Sequence, residues 1–233
     1  MLNEQISSKA LLIHHHKQTG RLDLTSHDIM PLDEGRQFTL GAGRAFSAWD
    51  KETLLNVLLD EMPEAEFIGP NILVRGRNML VWYTPKQIID IPFRGELIRA
   101  PIPGLIYVAQ ANRALRSFAF KGNARPTPDT ELFYVPLGNV YSGGTFCNGN
   151  VNLPRNISPS NIEVWQRFVL ESTNTHQGTI CPMKGIRGFE DLIEFYRNRS
   201  AKAKTFPASR LVPLTCLGDK IRLSDVIKPE AAL

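Results

Sequence analysis

The sequence predicts an α+β fold, and three observations lead to this prediction. Strand patterns gather in residues 71–136, whereas helical patterns lie mainly beyond residue 159. A stretch rich in glycine and proline separates the two regions. Because strands and helices are segregated along the chain rather than alternating, an antiparallel sheet with helices added to it is expected.

Length and composition are those of an ordinary globular protein. The 233 residues are 42% hydrophobic and 21% charged, with a net charge of +4. They exclude a fibre, a repeat array and a disordered tail, and they predict one globular unit with appendages. The first residues do not resemble a secretion signal, and no apolar run approaches the roughly 20 residues of a membrane span. We therefore expect a cytoplasmic protein without a membrane segment.

Residues 1–70 are predicted to form an N-terminal extension. Two apolar segments flank the turn Lys17-Gln-Thr-Gly20, which indicates a β-hairpin. Asp50 is predicted to cap a following amphipathic helix, which Pro63 ends. The leucines at helical spacing in it are Leu54, Leu55, Leu58 and Leu59.

Residues 71–175 are predicted to form the core. Short β-rich segments separated by Gly, Pro and Asn indicate an antiparallel meander of about four strands, because the connections are too short for parallel crossovers. The segments are 72–74, 79–83, 105–109, 115–120 and 131–135. A long loop over 136–159 follows, and loops of this length in a compact domain are usually functional.

Helices are expected after this loop. Ser160 and Glu163 form a capping-box pattern, which predicts a helix from about Ser160 to Ser172. The apolar spacing around 189–196 predicts a second amphipathic helix, and short strands or turns are expected around Gly218. Residues 176–233 are thus predicted to be a C-terminal helical segment and tail.

The loop contains the most specific motif of the sequence, Pro136-Leu-Gly-Asn-Val-Tyr-Ser-Gly-Gly-Thr-Phe-Cys147. It resembles the active-site stretch of ubiquitin-conjugating enzymes, in which His-Pro-Asn precedes the catalytic cysteine and the asparagine lies eight positions before it. The residues in register are Asn139, Val140, Tyr141, Gly144, Phe146 and Cys147. One departure is that Leu137-Gly138 stands where the eukaryotic family has His-Pro.

A closer similarity is to the bacterial family called PRTRC system protein B. It rests on Arg125-Pro-Thr-Pro-Asp-Thr-Glu-Leu, on Asn139-Val-Tyr and on Cys147-Asn-Gly. The resemblance implies a UBC-like core (the ubiquitin-conjugating fold). It also implies three partners: a ThiF-like activating enzyme, a small ubiquitin-like protein and a JAB-type protease. It implies neither a cofactor nor a metal.

The resemblance also assigns roles within the loop. Cys147 would be the nucleophile that carries the ubiquitin-like protein as a thioester before the acyl group passes to an amine. Asn139 would stabilise the developing oxyanion with its amide or else brace the loop. Tyr141, Gly144 and Phe146 would shape the loop.

Three other functions stay open from the sequence. Because Leu137-Gly138 replaces His-Pro, the protein could be an inactive UBC-like module that only docks the activating enzyme or the ubiquitin-like protein. The basic residues between Arg197 and Arg210 motivate a nucleic-acid-associated role in plasmid maintenance. His176, beyond Cys147, motivates a Cys/His hydrolase.

The remaining cysteines and histidines are assigned structural roles. Cys181 and Cys216 are expected to be core or surface thiols, because three widely spaced cysteines form neither a disulfide framework nor a zinc site. His14 and His16 share one face of the predicted first strand without a further ligand at a recognisable spacing. We therefore expect a strand edge there and not a metal site.

Overall fold

The structure is a computed structural model that describes residues 8–32, 37–58, 68–200 and 203–228. The predictions concerning Leu59, Pro63 and Lys202 lie outside the described residues. The chain divides into two compact units, Met1–Glu66 and Phe67–Leu233. Each unit is described by itself, and the three-part division predicted from the sequence stays a prediction.

The first unit contains an antiparallel sheet and one helix. Its elements are β1 (Lys9–His16), β2 (Arg21–Leu32), β3 (Gln37–Leu40), β4 (Arg44–Ala45) and α1 (Ala48–Leu58). The predicted hairpin is confirmed as β1 and β2, whose turn ends at Gly20 with a φ of 69°. Strand β2 also pairs with β3 and β4, so the hairpin is part of a larger, four-stranded sheet.

Helix α1 begins before Asp50, so the prediction that Asp50 is its N-cap is wrong. The Asp50 N–H donates to Ser47 Oγ at 3.1 Å, and the Ser47 N–H donates to Asp50 Oδ2 at 2.9 Å. This reciprocal pair is a capping box in which Ser47 is the cap and Asp50 is the third helical residue. Leu54 is half-buried but Leu55 is 47% exposed, so these two leucines do not form a buried stripe.

The second unit is built on a four-stranded antiparallel sheet. The strands of this unit between residues 72 and 120 are β5 (Ile72–Gly76), β6 (Met79–Thr84), β7 (Gln87–Phe93), β8 (Glu96–Ile102), β9 (Gly104–Gln110) and β10 (Arg116–Phe120). The sheet has the order β10-β9-β6-β5, and β7 pairs only with β8 in a separate hairpin. Together with the helices below, this confirms the predicted α+β class.

Two strand predictions need correction. The β7–β8 hairpin was not predicted. Its Pro92 and Pro101 lack the N–H that an internal strand must donate, but a two-stranded hairpin tolerates them. Residues 131–135 form only isolated bridges, such as Ala119 with Phe133 and Phe133 with Pro213, and not the predicted regular strand.

The main sheet is covered on both faces. Alternate residues of its strands enter two different hydrophobic clusters: Trp82 and Tyr107 face one cluster, while Val81, Ile106 and Val108 face the other. Every residue of β9 before Gln110 is buried. A strand buried on both faces reads as a continuous apolar run, as β9 does in the sequence.

Helices α2 (Ile162–Glu171) and α3 (Phe189–Ser200) contribute to the first cluster. Both were predicted, but the Ser160–Glu163 capping box is wrong: a 3-10 turn over Pro159–Asn161 precedes α2, and Ser158 Oγ accepts from the Ser160 N–H. Glu163 pairs instead with Arg167, one turn later.

The C-terminal segment covers the second cluster. It consists of the short hairpin β11 (Thr215–Cys216) and β12 (Asp219–Lys220), followed by α4 (Leu223–Val226). Gly218 lies in the turn, as predicted, with a φ of 94°. Among the described residues, no helix has the length and apolar character needed to span a membrane.

Candidate active site

The loop that carries Cys147 is folded back on itself as a miniature hairpin. Val140 and Phe146 form an antiparallel bridge. The Tyr141 N–H donates to the Thr145 carbonyl at 2.8 Å, and the Cys147 N–H donates to the Asn139 carbonyl at 2.9 Å. Because side chains alternate along paired backbones, Tyr141 and Cys147 lie on the face opposite the buried Val140 and Phe146.

The turn of this hairpin depends on Gly144. Its φ is 82°, a left-handed conformation that residues with a Cβ rarely adopt. A Cβ there would also lie 2.4 Å from the ring of Phe118 in β10. The next residue, Thr145, bridges Arg116 of the same strand. The main sheet thus fixes the end of the turn that leads to Cys147.

Phe146 anchors the hairpin to the helical side. It is 8% exposed, and its ring packs edge-on against Phe168 of α2 at a centroid distance of 6.4 Å. The packing contributes apolar burial and an aromatic pair geometry. The immediate neighbour of the candidate nucleophile Cys147 is therefore held in the core.

Asn139 connects the hairpin to residues 173–179, which we call the bracing segment. Its side-chain Nδ2 donates to the Thr173 carbonyl at 2.8 Å. Its Oδ1 accepts from the Thr175 N–H at 3.0 Å and from the Thr175 hydroxyl at 3.1 Å. Asn139 is 7% exposed and has a φ of 60°, a conformation that asparagine tolerates better than most residues.

Leu137 and Gly138 have a structural role of their own. Leu137 is 1% exposed in the first cluster. A Cβ on Gly138 would lie 2.9 Å from the His176 carbonyl, so glycine lets the bracing segment approach closely. The Tyr196 hydroxyl of α3 donates to the Pro136 carbonyl at 2.6 Å. These contacts hold the loop without a His-Pro pair.

Further contacts join the bracing segment to the hairpin. Val140 forms a parallel bridge with Gly178, and the Ser142 N–H donates to Thr179 Oγ1 at 3.1 Å. The segment is in turn tied to β7, because both the N–H and the Nδ2 of Asn174 donate to the Pro92 carbonyl. Of the bracing segment, only His176 was a candidate from the sequence, because no local pattern marks the other residues.

The surroundings of Cys147 favour its thiolate. Cys147 is half-buried. A hydrogen bond from the Tyr141 hydroxyl, and a second from the Gly149 backbone N–H, lower the pKa of the Cys147 thiol below its usual value. The same hydrogen bond to Cys147 raises the pKa of the Tyr141 phenol. Tyr141 is therefore more than the packing residue that the sequence suggested.

His176 lies on the other side of Tyr141. Its Nε2 is 3.5 Å from the Tyr141 hydroxyl, and the two ring centroids are 6.1 Å apart. The arrangement is thus Cys147, Tyr141, His176, with the phenol in the middle, rather than the adjacent Cys/His pair that a hydrolase dyad needs.

A cavity of about 240 Å³ lies next to the loop, and Asn148, the residue after Cys147, is part of its lining. Its lining includes Asn148, Pro154 and Arg155 from the loop, Trp165 from α2 and Gln110 at the end of β9. It offers a concave surface beside the candidate nucleophile.

A family model described as prokaryotic E2 family D matches residues 51–214, well over half of the chain. The chain belongs to this family. Membership of prokaryotic E2 family D indicates a ubiquitin-conjugating-like role, with an activating enzyme or a ubiquitin-like protein as the general class of partner. The matched residues include the whole hairpin and the bracing segment. A search of curated proteins and a search of solved structures found no match.

The other cysteines and histidines considered in this E2-family chain have surroundings of their own. Cys181 donates its thiol to the Met183 and Ile186 carbonyls, and Cys216 is exposed. His14 bonds Thr25, and His16 pairs with Asp23. Within the described ranges, no group of three or more His, Cys, Asp or Glu is arranged to hold a metal ion.

The basic residues between 197 and 210 are partly engaged with their neighbours. Arg197 pairs with Glu96 and Glu194. The guanidinium groups of Arg199 and Arg210 lie over the ring of Phe195. These three arginines thus interact with side chains of the same chain. The contacts give no specific support to a nucleic-acid-binding role.

Proposed function

We propose that this chain is a conjugating enzyme that accepts a ubiquitin-like protein as a thioester on Cys147 and passes it to an amine. The donor would be a ThiF-like activating enzyme, as in the PRTRC system protein B family that the sequence resembles. The observation that carries the proposal is the hairpin of the E2-family loop, which presents a half-buried thiol of lowered pKa beside a cavity.

In the first step, the Cys147 thiolate attacks the carbonyl carbon of the thioester on the activating enzyme. A new C–S bond forms, and the activating enzyme's cysteine leaves as a thiolate. The hydrogen bonds from Tyr141 and Gly149 increase the thiolate fraction at neutral pH, which favours this step.

In the second step, an amine attacks the thioester carbonyl on Cys147. The C–N bond forms, the C–S bond breaks, and Cys147 leaves as a thiolate that the same two hydrogen bonds stabilise. The amine loses one proton, which passes to solvent or to the departing Cys147 sulfur. Three of the hydrogen-bonding positions of the Asn139 amide are used to brace the loop. We therefore assign Asn139 primarily to holding the hairpin in place, while its second Nδ2 hydrogen could still donate to an oxyanion.

The test is reconstitution with ATP, the activating enzyme and the ubiquitin-like protein. Wild type and Cys216→Ala are expected to give an adduct that a thiol reagent cleaves, and Cys147→Ala to give none. Cys216→Ala is the matched control because it removes an exposed thiol outside the loop. Cys147→Ser should give an adduct that resists the thiol reagent, because an oxygen ester replaces the thioester.

An equally abundant adduct on Cys147→Ala would contradict the proposal. The absence of an adduct on the folded wild type, with cellular function retained by Cys147→Ala, would also contradict it. That pair of results would favour the binding-module interpretation instead.

A further inference from the structure

The hydrogen bonds around Asn139 determine which of its side-chain atoms is the oxygen. One atom faces the Thr173 carbonyl, which can only accept, and must be the NH2 group. The other faces the Thr175 backbone N–H, which can only donate, and must be the oxygen. The orientation of the amide thus follows from backbone partners of fixed polarity.

This orientation also determines the direction of the next hydrogen bonds. The Thr175 hydroxyl has one proton, and it is donated to Asn139 Oδ1, which can only accept. Toward His176 Nδ1, 3.0 Å away, the Thr175 oxygen must therefore accept. Nδ1 of His176 carries a proton, and in the neutral ring Nε2 is left as a bare acceptor directed at Tyr141.

We propose that Cys147, Tyr141 and His176 form a proton relay in which the thiol proton passes to the Tyr141 oxygen while the phenol proton passes to His176 Nε2. The Val140–Phe146 bridge places Tyr141 and Cys147 on the same face of the hairpin, where the phenol interacts with the sulfur. The Tyr141 hydroxyl also lies 3.5 Å from His176 Nε2. This distance is long, as catalytic hydrogen bonds often are before substrate binds.

The relay conserves every proton. The S–H bond breaks as a new O–H bond forms on Tyr141, and the original O–H bond of Tyr141 breaks as an N–H bond forms on Nε2. The products are a thiolate, a neutral phenol and an imidazolium whose Nδ1–H still donates to Thr175. No oxidant or metal is needed, because only protons move.

The relay deepens the proposed function and rests on it: Cys147 would be activated by its own chain and not only by its partner. Tyr141 contacts the reacting sulfur. His176 acts through Tyr141, and Thr175 and Asn139 set the protonation of its ring. The Asn139 amide, to which the family resemblance gives a role at the oxyanion, thus also orients the ring of His176.

The test measures the alkylation rate of Cys147 by iodoacetamide against pH in the full chain, with peptides resolved by mass spectrometry. Tyr141→Phe removes the central hydroxyl, and His176→Gln keeps a polar group that cannot take the proton. For both we expect the midpoint of the Cys147 profile to rise by about one pH unit, which makes the reaction about tenfold slower near pH 7.

Two controls separate the relay from loosening of the loop. Thr179→Val removes the hydrogen bond from the Ser142 N–H but leaves the three relay residues in place. The exposed Cys216 is an internal reference within each sample. We expect both the Thr179→Val profile of Cys147 and the Cys216 profiles of all variants to match wild type.

The relay is overturned if folded Tyr141→Phe or folded His176→Gln keeps the wild-type midpoint, or if Thr179→Val raises the midpoint as much as these two variants do. Alkylation needs no activating enzyme, so the two proposals fail separately. A thioester on Cys147 without the pH shifts rejects only the relay. The pH shifts without a thioester reject only the conjugating activity.

Discussion

At the scale of single residues, the Asn139 side chain joins two separate segments of the chain. The side-chain amide of Asn139 forms hydrogen bonds with two residues of the bracing segment. Its left-handed backbone conformation directs the chain into the hairpin. An asparagine suits this position because it tolerates that conformation and offers both a donor and an acceptor.

We expect Asn139→Ala to lower the free energy of unfolding by about 2–3 kcal/mol, because three hydrogen bonds of a buried side chain are lost. Urea unfolding would measure this. Asn148→Ala, an exposed position of the same loop, should change stability by less than about 0.5 kcal/mol. Unchanged stability of Asn139→Ala, with slowed transfer from the thioester, would show that oxyanion stabilisation is its main role.

At the scale of elements, an aromatic stack joins the main sheet to α2. Trp82 of β6 stacks on Tyr107 of β9 at 5.2 Å and on Trp165 of α2 at 5.3 Å. All three side chains are buried. Helix α2 ends at Glu171, two positions before the bracing segment, so the stack packs against the helix that leads into that segment.

We expect Trp165→Ala to destabilise the protein by about 3–5 kcal/mol, because it removes a large buried ring and leaves a cavity against Trp82. Val164→Ala is the matched control in the same helix, since Val164 is 45% exposed, and should cost less than about 1 kcal/mol. Denaturant unfolding of both variants is the measurement. A loss for Trp165→Ala no larger than for Val164→Ala would show that the stack does not hold α2 in place.

At the scale of the whole molecule, the core and the candidate site belong to the same compact unit. Both hydrophobic clusters consist of residues between Ile72 and Ile227, within the unit Phe67–Leu233. The hairpin, the bracing segment and α2 all lie in this unit. The family match, however, begins at residue 51, inside α1 of the other unit.

We expect a fragment of residues 67–233 to fold by itself, because it retains every cluster residue. It should unfold in a single cooperative thermal transition and keep the Cys147 alkylation profile of the full chain. A non-cooperative transition would show that residues before 67 are needed. In that case a longer fragment starting before α1 should restore cooperativity, in agreement with the extent of the family match.

Local patterns were sufficient for much of this fold. Short runs of β-branched, aromatic and other apolar residues between Gly, Pro and Asn marked β6, β9 and β10. Helical spacing marked α2 and α3, because one buried helix face leaves a period in the sequence. The spacing of eight residues from Asn139 to Cys147 could also be recognised in the sequence, because both residues lie within one hairpin. The β7–β8 hairpin was missed because its prolines argue against internal strands.

Local sequence patterns were enough to predict the class of the fold, the family resemblance and Cys147 as candidate nucleophile. The surroundings of that cysteine depend on contacts between residues that are far apart in the chain. Asn139 bonds Thr173 and Thr175, 34 and 36 positions away, and Ser142 bonds Thr179, 37 positions away. Such contacts produce no periodic pattern in the sequence, because they depend on the position at which the chain leaves helix α2. The path of the chain after α2 also brings His176 next to Tyr141, which in turn interacts with Cys147.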